Sequence, residues 1–147
     1  MTNARVLLVR VGDERFALPL ADILEVRDAP AVEGVPLLPS GVAGQCVHRG
    51  RLIPVLDLGP LVGVSRDGGD GVLLILAAES ERVGLLVDDV VDVAAAPASA
   101  VRPVPATGSA AAGMLSGVLA LDGALAGLVD TDVLRASVLA RLAMEVG

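Results

Sequence analysis

The chain contains few aromatic and few basic side chains. Its 147 residues include one Phe and no Trp or Tyr, so it lacks the aromatic surfaces on which the bases of single-stranded nucleic acid stack. It has no Lys, and its 18 acidic residues outnumber its 11 Arg, which gives a net charge of −7. A surface of this charge repels phosphate backbones and anionic lipids. We therefore expect no nucleic-acid partner and no direct insertion into a membrane.

Cysteine and histidine each occur once, as Cys46 and His48. A single Cys cannot form a disulfide within the chain, which is typical of a protein in a reducing compartment. Two positions apart in a strand, the two side chains would share a face, so one interpretation is the Cys–His dyad of a small hydrolase. The other is a buried Cys beside a partly exposed His at a hairpin tip. We favour the second, because the sequence places no carboxylate or amide to orient His48.

The sequence also lacks a clear metal or cofactor motif. There is no GxGxxG, Walker or HExxH pattern. Asp88, Asp89 and Asp92 suggest a hard-cation site, but Asp88 and Asp89 would point to opposite faces of a strand. Solvated strand edges are the better interpretation of these acids, and we expect no cofactor and no metal.

Long apolar segments are missing as well. The longest uncharged run, residues 103–121, is interrupted by Pro and Gly, which makes a membrane helix a poor interpretation. The first residues are not expected to be a signal peptide, because their apolar stretch is short and charges interrupt it. Together with the single Cys, these features favour a cytoplasmic location.

What the sequence does contain is an internal repeat, in which residues 6–58 correspond in order to residues 72–131. The offset grows from 66 (Val6 to Val72) to 73 (Gly44 to Gly117). Matching positions include Glu14, Arg15, Leu18, Asp22 and Val26, which recur as Glu81, Arg82, Leu85, Asp89 and Val93. Two copies at this spacing suit a paired pseudo-symmetric fold better than a solenoid.

Each copy holds about five short, β-branched or alternating segments separated by Gly and Pro turns, which predicts a mostly all-β protein. Because sixty residues bury little area alone and closed sheets have no exposed edges, we expect two pseudo-duplicated five-stranded barrels packed side by side. The predicted limits are a single domain over 1–147, with subdomains near 12–66 and 67–132 and an N-terminal strand able to cross between them. Short helices are expected in the connections, including one at 58–62, with a C-terminal helix over 133–144.

The alternation of apolar residues also predicts the core. Phe16, Leu18 and Ile53 are expected to be buried in the first barrel, and Leu85, Val87 and Leu125 in the second.

One polar pair stands among the apolar strands of the first copy. Glu25 lies in ILEV and Arg49 at the turn HRG, whereas the second copy has Asp92 and Asp122 at these places. Two acids cannot pair, so an ion pair is possible only in the first copy. We expect Glu25 and Arg49 to be in contact; the alternative is two unrelated solvated charges.

Several segments resemble the CheW-like domain of bacterial chemotaxis. They are FALPLADILEV, VPLLPSGVAGQCVHRGRLIPVLDL, GLLVDDVVDV, VRPVP and LVDTDVL, in that order, over about residues 5–136. The most specific parts are Arg-Gly followed by Pro-Val-Leu-Asp-Leu, and Gly-Leu-Leu-Val-Asp-Asp-Val. The resemblance implies SH3-like barrels and a non-enzymatic adaptor that binds the cytoplasmic tip of chemoreceptors and the regulatory domain of a CheA-type histidine kinase. It also implies association with other CheW-like domains in rings, within arrays at the inner membrane.

The resemblance further implies site residues. Ile23, Glu25, Gly44 and Arg49 match receptor-binding positions, and the kinase-binding positions are Val93 and Arg102. The sequence departs from the family pattern at His48, where a hydrophobic residue is usual, at Gly59, where Arg is common, and in the plain segment 106–113. These departures leave one alternative open, an accessory CheW-like paralogue that binds receptor but not kinase; the hydrolase with Cys46 and His48 is the alternative of another class.

Overall fold

The computed structural model describes residues 4–28, 41–67, 70–78, 81–104 and 113–137. Within these ranges most residues lie in strands, joined by two 3-10 turns at Leu20–Asp22 and Ala98–Ala100 and by the short helix α1 (Leu58–Val62). The strands are β1 (Ala4–Val11), β2 (Glu14–Pro19), β3 (Ile23–Asp28), β4 (Val42–His48), β5 (Arg51–Asp57), β6 (Val72–Ala78), β7 (Glu81–Val87), β8 (Asp89–Ala96), β9 (Val101–Arg102), β10 (Leu115–Leu121) and β11 (Ala124–Val129).

The strands form two sheets. Sheet one has the order β3-β6-β7-β5-β4, and sheet two has the order β8-β1-β2-β11-β10-β9. Neighbours are antiparallel except at β5·β7 and β2·β11, which are parallel. The predicted all-β class with two related units is confirmed.

The two copies of the repeat exchange their first hairpins. Sheet one combines β3–β5 of the first copy with the β6–β7 hairpin of the second, and sheet two combines the β1–β2 hairpin with β8–β11. When each strand is replaced by its counterpart in the repeat, the five strands of sheet one have the same order as the first five of sheet two. The short β9 is a sixth strand of sheet two with no counterpart among the described residues. The sheets therefore do not follow the expected subdomain limits of 12–66 and 67–132, because the whole N-terminal hairpin, and not one strand alone, lies in the sheet of the second copy.

The irregularities of the strands are duplicated too. One extra residue interrupts the pairing of β3 at Leu24 and of β8 at Val91, which are corresponding positions. The same holds for Ala43 in β4 and Ser116 in β10. Since a bulge redirects the side chains after it, its conservation between copies keeps the same faces buried in both sheets.

The predicted hairpin turns are also confirmed. Arg49 and Gly50 have φ of 50° and 77°, and Asp122 and Gly123 have φ of 49° and 79°. Two successive positive φ angles are the signature of the tight turn whose twist matches that of the flanking strands.

The apolar core has three parts. The largest lies between the sheets and takes Val9 and Leu18 from sheet two and Leu74 and Leu85 from sheet one, all completely buried or nearly so. A second cluster lines the other face of sheet one, around Val55 and Ile75, and a third lines the other face of sheet two, around Val6, Ala17 and Leu119. The central cluster joins the two sheets into one unit.

Five of the six predicted core residues are buried, namely Phe16, Leu18, Ile53, Leu85 and Val87. The prediction was wrong for Leu125, which is 62% exposed. Leu125 lies two positions after the Asp122-Gly123 turn, on the outward face of its hairpin. Its counterpart Leu52 is exposed to the same extent, 61%.

Both helices that follow the last strand of a copy begin at an aspartate. Asp57 accepts a hydrogen bond from the backbone of Gly59 at the start of α1, which confirms the predicted helix at 58–62. The C-terminal helix α2 covers residues 131–137 of the described chain, and Asp130 accepts from the backbone of Asp132 and Val133. Such caps satisfy the free N–H groups of a first helical turn. The remainder of the predicted helix, up to 144, lies outside the described residues.

Asp88 stabilises the connection between β7 and β8, where the chain passes from sheet one to sheet two. Its side chain is 3% exposed. It accepts hydrogen bonds from the backbone N–H of Gly12 (2.7 Å) and Asp67 (2.9 Å), and it forms an ion pair with Arg66 (3.3 Å). The interpretation of Asp88 as a solvated edge was therefore wrong, whereas Asp89 and Asp92 are exposed as expected.

Leu85→Ala should lower the free energy of unfolding by about 2–5 kcal/mol, because it leaves a cavity in the core between the sheets. Leu125→Ala is the matched control and should change it by less than about 0.5 kcal/mol, since Leu125 is mostly exposed. Equilibrium urea denaturation measures both. Equal losses in the two variants would contradict the assignment of Leu85 to the core.

Asp88→Asn should be destabilising by about 3 kcal/mol, because it leaves the mostly buried guanidinium of Arg66 with one fewer partner and weakens two backbone contacts. The neighbouring Asp89→Asn should stay within about 0.5 kcal/mol of the parent chain, since Asp89 is exposed. Thermal melts of the two variants would refute the role of Asp88 if their midpoints coincided.

Candidate functional site

The candidate site lies where sheet one curls and its two edge strands, β3 and β4, face each other. Within the described residues side chains bridge the gap between these strands. Arg27 of β3 donates a hydrogen bond from Nη2 to the backbone carbonyl of Val47 of β4 (2.9 Å), and its Nη2 lies 3.8 Å from the sulfur of Cys46. We call the facing side chains Glu25, Arg27, Cys46 and His48 the seam.

Glu25 takes its partners from the seam. Its Oε2 lies 3.5 Å from Nη1 of Arg27 and 3.9 Å from Nε2 of His48. Among the described residues no ion pair joins Glu25 to Arg49, so the expected Glu25–Arg49 contact was wrong. The reason is local: residues two apart in a strand share a face, so Glu25 and Arg27 meet within β3, while Arg49 lies in the turn beyond the end of β4.

His48 is buried in the seam, with 1% of its surface exposed. The expectation of a partly exposed His was wrong, because the curl of sheet one covers the end of β4 with β3. Neither ring nitrogen has a hydrogen-bond partner in the part of the chain that the structure describes. A buried polar group without a partner costs free energy, so its presence calls for an explanation.

Burial lowers the pKa of His48 below its ordinary value of 6.5, because desolvation disfavours the charged imidazolium. The nearby carboxylate of Glu25 acts in the opposite direction and favours protonation. The guanidiniums of Arg82, Arg49 and Arg27 again oppose it, in that order. His48 therefore lies among three guanidiniums and one carboxylate, in a chain whose net charge is negative.

The other predicted receptor-binding residues are placed as follows. Ile23 begins β3 and packs against the central core. Gly44 is buried beside the bulge of β4 with φ of 154°, a backbone conformation that favours glycine. Arg49 is exposed in the hairpin turn. Glu25 and Arg49 thus flank His48, whereas Ile23 is half-buried against the central core and Gly44 is buried.

An exposed apolar surface lies on the face of β3 and β4 opposite the seam side chains and was missed by the sequence prediction. Leu24 and Val26 of β3 are 45% and 44% exposed, and Val47 and Leu52 of the β4–β5 hairpin are 57% and 61% exposed. Large apolar side chains exposed together mark interaction sites. Simple alternation did not reveal this group, because in β3 the apolar Leu24 and Val26 are exposed while the charged Glu25 and Arg27 are half-buried.

The predicted kinase-binding residues lie on sheet two. Val93 belongs to β8 and Arg102 to β9, which are the two edge strands of that sheet, and both side chains are exposed. Val93 and its neighbour Val91 correspond in the repeat to Val26 and Leu24, and their exposures of 43% and 41% are similar. The outward apolar pattern of the first copy is therefore repeated in the second.

A shallow depression of about 470 Å³ lies at the joint between the copies, lined by Asp57, Pro60, Gly63, Val64, Ser65, Arg66 and Asp67. The guanidinium of Arg66 in this depression is already neutralised by ion pairs with Asp57 (3.1 Å) and Asp88 (3.3 Å). The depression is therefore part of the contact that joins the two sheets. In the described ranges no helix has the length and apolar character needed to span a membrane.

The fold and the seam together define a small two-sheet binding module, with exposed apolar and charged side chains on the edges of both sheets. The family model of the CheW-like domain matches residues 5–138. The chain belongs to the CheW-like family, and it is an adaptor of the chemotaxis type.

Known relatives agree with this assignment. Protein FrzA of Myxococcus xanthus is 35% identical over 116 residues, covering 78% of this chain and 72% of that protein. A chemotaxis protein CheW of Rhizobium meliloti (strain 1021) is 28% identical over 137 residues, covering 90% and 88%. The crystal structure of the scaffolding protein TtCheW from Thermoanaerobacter tengcongensis superposes with a TM-score of 0.80 at 22% identity, over 88% of this chain and 86% of that one, which supports the fold.

His48 predicts a pH dependence of stability. Because its pKa in the folded chain lies below 6.5, the unfolded chain binds more protons between the two pKa values, and stability falls as the pH decreases through about 6.5. His48→Leu should remove this part of the dependence, since His48 is the chain's one histidine. Urea midpoints at pH 7.5, 6.5 and 5.5 measure the effect. Parallel pH curves for parent and variant would contradict it.

Proposed function

We propose that the protein couples the cytoplasmic tips of chemoreceptors to a CheA-type histidine kinase, in the cytoplasm at receptor arrays, without catalysing a reaction. The observation that carries this proposal is the duplicated outward surface. Leu24 and Val26 on sheet one correspond to Val91 and Val93 on sheet two, and all four are about equally exposed. Two related but separate surfaces allow one small chain to hold two partners at once.

The receptor is assigned to the exposed apolar surface of β3 and the β4–β5 hairpin. A receptor tip is a helical hairpin, and a helix presents apolar side chains at every third or fourth position to a partner. The exposed side chains Leu24, Val26 and Val47 offer apolar contacts for such a helix. Glu25, which is on the other face of β3 but 38% exposed, and Arg49 in the hairpin turn supply charged groups at the margin of this surface. They would fix the register of the helix, since complementary charges contribute specificity more than affinity.

The kinase regulatory domain is assigned to the edges of sheet two. Here Val91 and Val93 supply the apolar contacts, and Arg102 supplies an exposed guanidinium. Only the acid of the seam is repeated on this sheet, where Asp92 corresponds to Glu25 but Ala94 to Arg27. Similar apolar patterns with different charges suit two different protein partners.

The environment of Cys46 and His48 supports an adaptor over a hydrolase. Cys46 is 2% exposed and His48 is 1% exposed, so a substrate would have to open the seam to reach either group. Within the described residues no hydrogen bond joins them, whereas a nucleophile and its base need one. Arg27 lies near both side chains because all three belong to the seam, where Arg27 bridges β3 and β4.

The accessory paralogue that binds receptor but not kinase remains a second candidate because of Gly59. A Cβ at this position would lie 2.6 Å from the backbone oxygen of Val64, so the chain has no room for the Arg that is common there. Any contact that such an Arg makes with a kinase is missing in this protein. The segment 106–113 lies largely outside the described residues.

Paired substitutions should separate the two surfaces. Glu25→Ala and Arg49→Ala should each weaken binding of a chemoreceptor tip fragment, because both remove a charged contact. Stability should change by less than about 1 kcal/mol in each, since the charges are at least partly exposed. Since no ion pair joins Glu25 to Arg49, the losses in the double variant should be nearly additive.

Val93→Ser with Arg102→Ala serves as the crosswise control. These changes should weaken binding of a CheA regulatory domain and leave receptor binding unchanged. Glu25→Ala and Arg49→Ala should instead leave binding of the CheA regulatory domain unchanged. Calorimetric titration with each fragment provides the measurement. If the parent chain binds the receptor fragment but not the kinase fragment, the protein is the accessory paralogue. If every variant loses binding to both fragments, the two surfaces are not separate.

A further inference from the structure

The seam has an imidazole in one half of the molecule and an apolar side chain in the other. In the repeat, His48 corresponds to Leu121 and Cys46 to Leu119, which packs in the apolar cluster of sheet two. The same fold therefore accepts an apolar residue where sheet one has a buried imidazole. The fold does not require His48, and its two nitrogens, which have no partner among the described residues, cost stability.

The group that His48 can bind when charged is already in place. Glu25 Oε2 lies 3.9 Å from Nε2, about 1 Å beyond the length of a charge-assisted hydrogen bond. The Glu25 side chain is 38% exposed, so it has room to move from the surface into the seam. A charged His48 would donate to this carboxylate and draw it inward.

Other charged groups oppose the protonation of His48. Arg27 on β3 holds the same carboxylate at 3.5 Å, and Arg49 in the turn and Arg82 on β7 act on the ring electrostatically. Arg51 is the cross-strand neighbour of His48. Cys46, two positions away on β4, is the remaining titratable group. With cations on every side, the imidazolium has one anionic partner among the described groups, Glu25.

We propose that His48 is a proton-responsive latch: in its charged form it binds Glu25, withdraws this carboxylate from the receptor-facing surface and weakens receptor binding. The inference rests on the proposed function for its consequence, but the latch itself does not. Acidification therefore reduces coupling to the receptor, and neutral pH restores it. By linkage, a bound receptor that holds Glu25 at the surface must also disfavour protonation of His48.

The latch is tested first without any receptor. His48 is the one histidine of the chain, so its ring signals in NMR are unambiguous over a pH titration. Glu25→Gln should lower the pKa of His48 further, because the carboxylate favours the charged form. Asp92→Asn removes the corresponding carboxylate of sheet two and should leave the titration unchanged. An unaltered titration in Glu25→Gln would overturn the latch.

The consequence is tested by calorimetric titration of a chemoreceptor tip fragment at pH 7.5 and 5.5. Affinity for the parent chain should fall at least about fivefold more than affinity for His48→Leu, a coupling at the lower end of those found between linked sites. His48→Gln provides the same comparison if the Leu variant folds poorly. Equal falls for parent and variants would overturn the proposal. If the fragment binds at neither pH, the proposed function fails, and the NMR titration still decides the latch.

Discussion

Burial of the central apolar core is the interaction on which the rest of the structure depends. The core takes side chains from both sheets, with Leu18 on one side and Leu85 on the other. Because the first hairpin of each copy belongs to the sheet of the other, neither sheet can assemble from one copy alone. Burial of apolar area supplies the main favourable term in folding, and here that area exists only when both copies are present.

The polar contacts are secondary to this core but decide where the surfaces lie. Asp88 holds the crossing between the sheets through two backbone N–H groups and Arg66. Arg27 bridges the edge strands of sheet one. The first contact fixes how the sheets are joined, and the second fixes the seam beside which the receptor surface lies. The two binding surfaces are therefore properties of strand edges that the core holds in place.

The sequence predicted the fold class, the repeat, the hairpin turns and most of the core, because these follow from local alternation and from Gly at positive φ. It did not predict the burial of His48 or Asp88, since both depend on strands distant in sequence that cover them. The error at Leu125 has the same origin: alternation shows that one face of β11 is apolar, but not which neighbour covers it. The Glu25–Arg27 contact could have been inferred, because residues two apart in a strand share a face.

The exchange of hairpins also has a consequence during synthesis. When β3, β4 and β5 have emerged from the ribosome, β6 and β7, which separate β3 from β5 in sheet one, have not yet emerged. The nascent chain therefore exposes β3 and β5 with unpaired backbone groups, which are prone to join other chains. Native pairing of these strands depends on residues 72–87, and such long-range contacts form slowly. Sheet one therefore stays incomplete until the second copy of the repeat emerges.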